Sequence, residues 1–384
     1  GAQILEQFKS YSHMLLNPDC EKFKQSGGKI LGYMCPFVPE ELVFAAGMLP
    51  LRIRGTGCIN ATTADTYFSS TSTCSFVRHS FESVISDQYE LLDGIAFART
   101  CDVMSVFGDN MLLSGRRNIP VHMLQLPHVT NQAAVRYYRN HLDTFKTFPE
   151  TEYGAVIGEE SLRASVRLCN ETKLLQRQLN ALLKAPQPLI SGSDLTAIIV
   201  AGFSMPRELY NSLLKQLLAS FATTEPTGGS RPLRLMVVGS CGDDSLIADI
   251  AETLGVLVVC DLTCFGGQHR VGDVDENSSD VLLAIAEQRL TDNPFCSVLL
   301  GAAEKRSSAV GAAIKEYAVD GVIGQWLGCC DAAAATMQIL RREMKEAGVP
   351  CFIIKRDYVP DTIGQITTRI QAFCETLTGD RDGR

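Results

Sequence analysis

Short, uninterrupted apolar runs alternate with longer stretches of helical periodicity along almost the whole chain, and that alternation leaves few folds open. Strands that lack a polar face must be buried on both sides, as they are in a parallel sheet covered by helices. The sequence predicts two such series. In the first, strands are expected over residues 29–34, 49–54, 94–98 and 119–126. Helices are expected over 5–16, 39–46 and about 75–89, with another after Cys101. In the second, strands are expected over 233–239, 256–260, 296–300, 321–326 and 351–355, with helices between them and after the last. The stretch 134–183 reads as helical, with 159–183 as one long helix, and further helices are expected over 194–202 and 206–221. A Thr-, Pro- and Gly-rich linker follows at 223–232. The expected fold class is therefore α/β, with two doubly wound parallel-sheet domains of the Rossmann or flavodoxin type and a helical middle segment. The reading divides the 384 residues into an N-terminal α/β domain at 1–150, a helical connection at 151–222 and a C-terminal α/β domain at 233–384.

Charge and hydropathy remove several function classes. A formal net charge of −8 argues against a protein that binds nucleic acid through a basic face, although helix N-termini can hold phosphates without net positive charge. No apolar run approaches the ~20 residues needed to span a bilayer. Residues 1–6 lack the basic and apolar regions of a secretory signal, so the expected location is the cytoplasm.

Cysteine is the anomaly. The chain has 14, and in a reducing compartment metal binding or catalysis explains a surplus better than disulfides do. Cys20, Cys58, Cys169, Cys351 and Cys374 lie inside ordinary helix or strand patterns and are expected to be plain core. The others mostly follow strands. Cys35 follows the first strand, Cys101 the strand ending at Ala98, Cys264 the strand ending at Cys260, and Cys330 the strand ending near Trp326. Cys74 ends a Ser/Thr-rich loop and opens a helix. Ligands of open parallel sheets bind at the C-terminal strand ends, so these thiols gather where chemistry is expected. Cys74, Cys101 and Cys330 also open helices, whose positive dipole end favours the metal-binding thiolate. Among other polar candidates, Gly239–Asp244 reads as a turn or a contact to a substrate. Glu40 and Glu41 read as favourable first-turn acids, and Arg52 and Arg54 as phosphate contacts or ion-pair partners. His79 is the most plausible acid–base group, against a packed role for it and for His122, His128 and His269.

Several stretches taken in order resemble the 2-hydroxyacyl-CoA dehydratase and benzoyl-CoA reductase superfamily. They are Gly32-Tyr33-Met34-Cys35-Pro36-Phe37-Val38-Pro39-Glu40-Glu41-Leu42, then Cys74-Ser75-Phe76-Val77-Arg78, then Leu92-Asp93-Gly94-Ile95 with Cys101-Asp102. Nearer the C-terminus come Val319-Asp320-Gly321-Val322 leading to Cys330-Asp331, and 364–373. The resemblance implies a [4Fe–4S] cluster held by Cys74, Cys101 and Cys330, with Asp331 selecting Cys330 over its neighbour Cys329. It further implies an acyl-CoA substrate, an ATP-hydrolysing iron–sulfur activator protein that delivers one low-potential electron, and a paralogous subunit or a second copy as partner. Cys35, Cys264 and Cys296 resemble the additional ligands of the double-cubane branch, which would make an [8Fe–9S] cluster with a reductase activity on small molecules. A non-catalytic cluster-binding partner subunit is the remaining alternative. The resemblance names no catalytic side chain.

Overall fold

Eight of the nine expected strands form, in two parallel sheets of four. The structure is a computed structural model and describes residues 1–115, 118–224, 231–293, 296–359 and 363–382. The first sheet contains β1 (Ile30–Tyr33), β2 (Leu49–Arg52), β3 (Gly94–Ala98) and β4 (Val121–Leu124), in the order β2-β1-β3-β4. The second contains β5 (Arg234–Gly239), β6 (Leu257–Leu262), β7 (Gly321–Leu327) and β8 (Cys351–Arg356), in the order β6-β5-β7-β8. The two sheets thus share one topology. Each reverses its direction of growth beside its first strand, between β1 and β3 and between β5 and β7. Crossovers leave such a switch point on opposite faces, and a crevice opens there at the C-terminal strand ends.

The first half carries helices α1 (Ala2–Ser12), α2 (Pro18–Gln25), α3 (Glu40–Ala45), α4 (Ser75–Ile85) and α5 (Asp102–Ser114). The middle contributes α6 (Gln132–Tyr153), α7 (Glu159–Leu182), α8 (Gly192–Ala201) and α9 (Arg207–Ala222). The second half adds α10 (Leu246–Thr253), α11 (Val281–Thr291), α12 (Ala303–Glu316), α13 (Asp331–Glu346) and α14 (Ile363–Asp382). Among the described residues no helix is long and apolar enough to cross a membrane.

Two local readings differ from the sequence expectation. Helix α2 lies outside the expected elements, yet its start is written in Asn17-Pro18. The Asn17 side chain accepts from the Asp19 and Cys20 amides at 3.0 and 3.1 Å, and Pro18 supplies the preset φ of a first helical residue. Residues 296–300 do not make a strand. Cys296 and Leu299 close a turn, a single 3-10 turn follows at Leu300–Ala302, and both neighbours of β5 are already in place. Leu299 is fully buried, but in a cluster with α6 and α11 residues instead of in a sheet. A short apolar run specifies burial, not the element that provides it. Of the expected linker at 223–232, residues 225–230 lie outside the described residues.

The two halves are not separate cores. One hydrophobic cluster contains Ile30, Leu49 and Ile95 beside the first sheet and Met236, Val259 and Val322 of the second. The middle helices bind both sides, with α7 packing on α3 and α8 on α1, β6 and α10. Gly239 closes β5 so tightly against β7 that an added Cβ would lie 2.0 Å from the Gln325 carbonyl oxygen. Only glycine permits that approach.

Candidate metal centre

Three helices begin with a cysteine where a capping side chain belongs. Cys74 is the N-cap of α4, Cys101 of α5 and Cys330 of α13. The first N–H groups of a helix have no partner within it. None of the three thiols makes a capping hydrogen bond, but the nearby amides, Val77 for Cys74, Met104 and Val103 for Cys101, and Ala333 for Cys330, pull each thiol toward its anion. Each arrangement favours a sulfur anion. Burial opposes it and prevails, raising all three thiols and pushing Cys74 up to about 12. Thiols so placed stay protonated until a cation takes the proton's place.

The three lie within electrostatic reach of one another. After burial and its helix amide, Cys74 responds to Cys330, Cys101 and Cys329, and Cys330 responds to Cys101, Asp331 and Cys264. Two of these thiols come from the first half of the chain and one from the second. The adjacent Cys329–Cys330 pair is divided by a tight turn. Cys329 takes a left-handed backbone (φ 63°) and its thiol donates to the Thr71 carbonyl at 3.2 Å, whereas Cys330 caps α13.

A second group of thiols lies beside the first. Cys35 follows β1, Cys264 follows β6 and Cys296 sits in the turn before α12; Cys35 and Cys296 both respond to Cys264. Arg52, the last residue of β2, stands among them and is 1% exposed. Its guanidinium lies over the Phe265 ring at 3.5 Å and the Phe203 ring at 4.7 Å, and its Nη2 donates to the Cys264 sulfur at 3.1 Å. A hydrogen bond from Cys241, then the Arg52 charge, draws the Cys264 thiol down against its burial. Burial keeps Cys35 and Cys296 high, Cys296 at about 11. Cys264 and Cys241 both affect or are affected by Cys330, so the two groups adjoin.

Cys241 escapes the sequence reading, in which Gly239–Asp244 is a turn or substrate contact. The signal is there, because Cys241 follows β5 as Cys35 follows β1. In the same turn Asp243 pairs with Arg54 at 3.1 Å and Asp244 with Arg356 at 2.8 Å, so Arg54 is an ion-pair partner. His79 is buried with its Nδ1 2.8 Å from the Ser75 carbonyl and its ring against Tyr358, a packed role. Cys20, Cys58, Cys169 and Cys374 are buried as expected, and Cys351 is half-buried in β8.

Among the described residues no three His, Cys, Asp or Glu side chains are close enough to share one metal ion. A polynuclear cluster needs a wider set, because each thiolate binds its own iron. The donor set fits such a group: soft sulfur ligands, helix N-termini and a buried guanidinium that offset negative charge, and aromatic rings that exclude water.

The profile of the 2-hydroxyglutaryl-CoA dehydratase D-component family matches residues 35–377. The chain is 25% identical to the (R)-phenyllactyl-CoA dehydratase beta subunit of Clostridium sporogenes, over 96% of this chain and 98% of that one. It is 24% identical to the beta subunit of (R)-2-hydroxyglutaryl-CoA dehydratase of Acidaminococcus fermentans, over 93% and 94%. A benzoyl-CoA reductase subunit from Thauera aromatica is 28% identical over 51% of each chain.

Proposed function

This chain belongs to the 2-hydroxyglutaryl-CoA dehydratase D-component family, and from that premise we propose that it is a cytoplasmic iron–sulfur subunit of a 2-hydroxyacyl-CoA dehydratase or a related benzoyl-CoA-type reductase. One observation supports the reading: three helix starts whose N-cap residue is a cysteine, drawn from both halves of the chain, lie within electrostatic reach of one another. Cys74, Cys101 and Cys330 would hold a [4Fe–4S] cluster. When bound, the cluster supplies one low-potential electron to a CoA thioester, delivered to it by a separate ATP-hydrolysing activator. The amides of Val77, Met104 and Ala333 stabilise the ligating sulfurs as anions, and burial strengthens that interaction by removing competing water. Phe203 and Phe265 shield the Arg52 side and hold its guanidinium against Cys264. The relatives' names as beta subunits support a partner subunit, paralogous or a second copy.

A second reading is favoured by the adjoining group. Cys35, Cys264 and Cys296 lie next to the first three, with Cys264 facing Cys330, which supports an [8Fe–9S] double cubane on six thiols and a reductase acting on small molecules. Anaerobic purification with iron and acid-labile sulfide analysis separates the two. The single cluster gives about four irons per chain and the double cubane about eight, and a chain reconstituted anaerobically with neither contradicts both.

A further inference from the structure

Near the second thiol group lies a cavity of about 60 Å³ whose lining includes Pro36, Phe203 and Gln268. At about 10–15 Å³ for a single water, it has room for roughly four small non-hydrogen atoms. Its wall is charged. Arg207 and Glu40 pair at 2.7 Å, and so do Arg289 and Glu41. Lys173 is the third cation of the lining and forms no ion pair among the described residues; its ammonium donates to the Gly272 carbonyl at 3.0 Å.

The cavity therefore holds three cations against two carboxylates, and both carboxylates are taken by arginines. Arg207 and Arg289 are 3% and 8% exposed, and in each the guanidinium Nε–H has no acceptor among the described residues. Native proteins satisfy buried donors, and a charged one left without an acceptor is costly. The lining thus carries one cation more than it has carboxylates, and two of its arginines each keep a buried donor without an acceptor among the described residues, beside a space a few atoms across. Burial lowers the Lys173 ammonium, while Glu41 supports its charge from a distance.

We infer that this cavity is a binding site for a small monoanion of the carboxylate type, such as formate or acetate, held by Lys173, Arg207 and Arg289. A carboxylate brings one charge and up to four acceptor positions, and its size matches the space. A full CoA thioester is far too large for it. The site needs no iron, so its success or failure is independent of the cluster assignment.

The experiment is anaerobic isothermal titration calorimetry of the full-length chain with sodium formate and sodium acetate, with acetamide as the neutral isostere. Saturable one-to-one binding of formate or acetate is expected, with acetamide at least tenfold weaker. Lys173→Met removes the unpaired cation without orphaning a carboxylate and should weaken the anion at least tenfold, while Lys173→Arg should restore most of it. Cys169→Met fills the cavity from a buried wall position without touching a charge, and should abolish binding in a chain with an unchanged circular dichroism spectrum. Equal affinity for acetamide, full affinity in a folded Lys173→Met or Cys169→Met chain, or no saturable heat from either anion overturns the assignment.

Discussion

Arg54 is 1% exposed and ties the two halves of the chain together. Its Nη1 donates to Asp243 at 3.1 Å, to the Ser12 carbonyl at 2.9 Å and to the Thr56 hydroxyl at 3.2 Å, and its Nη2 donates to the Met14 carbonyl at 2.7 Å. Arg54→Met keeps most of the buried bulk. It leaves the Asp243 carboxylate, whose side chain is 2% exposed, with hydroxyl donors from Thr56 and Tyr358 and no cation among the described residues. Breaking a buried pair from one side costs about 3–5 kcal/mol. An unfolding entropy of about 2.1 cal/mol/K per residue, taken over 384 residues, gives ~0.8 kcal/mol/K. If the halves unfold as one unit, the melting temperature should drop by about 4–6 °C. Differential scanning calorimetry of the wild type, Arg54→Met, Asp243→Asn and the double variant measures it. The double variant should lose less than the sum of the singles, with a coupling energy above ~1 kcal/mol. A single-variant loss below ~1 kcal/mol, or strict additivity, would refute the claim that this pair fastens the halves.

Three further outcomes follow from the same account. The sequence contains no Gly-x-x-x-x-Gly-Lys-Ser/Thr phosphate loop, so the purified chain should not hydrolyse ATP, and a steady phosphate-release signal from it alone would contradict the need for a separate activator. His269 is 1% exposed, and burial, then Arg270, hold it down to about 3 from 6.5. The unfolded chain therefore binds a proton below 6.5 that the folded chain refuses until about 3. Stability should fall on acidification through that window, by roughly 1.4 kcal/mol per pH unit at most. His269→Gln should flatten this acid limb in urea titrations, and an unchanged slope would count against it. Removing bound iron should loosen the halves and speed trypsin or thermolysin cleavage within residues 55–73, where Thr71 meets Cys329; identical digestion of holo and apo protein would place the metal within one half.

The sequence made the strands legible because their burial is two-sided and their apolar runs are uninterrupted. Cys101 and Cys330 stand out in the sequence because each falls between a strand and a helix, and Cys74 because it opens a helix after a Ser/Thr-rich loop. What stayed hidden depends on contacts between distant residues. Residues 296–300 carry a strand's composition, but the place beside β5 was taken by β6 and β7, and Leu299 joined the α6–α11 cluster. The pairs Arg207–Glu40 and Arg289–Glu41 span 167 and 248 positions, and no local pattern announces them. Arg52 is one of two candidates for a phosphate contact in the sequence. Only the packing of Phe203 and Phe265 around it assigns it to the thiols. Cys241 is readable by the strand-end rule, but its turn also resembles an ordinary loop.

The central claim is that Cys74, Cys101 and Cys330 form one ligand set across both halves. Iron content of the anaerobically purified Cys74→Ser, Cys101→Ser and Cys330→Ser chains tests it most directly, beside Cys169→Ser and Cys374→Ser as buried controls of the same chemistry. Each of the first three should lose most of its iron while the two controls keep theirs. Full iron in all three ligand variants would contradict the assignment.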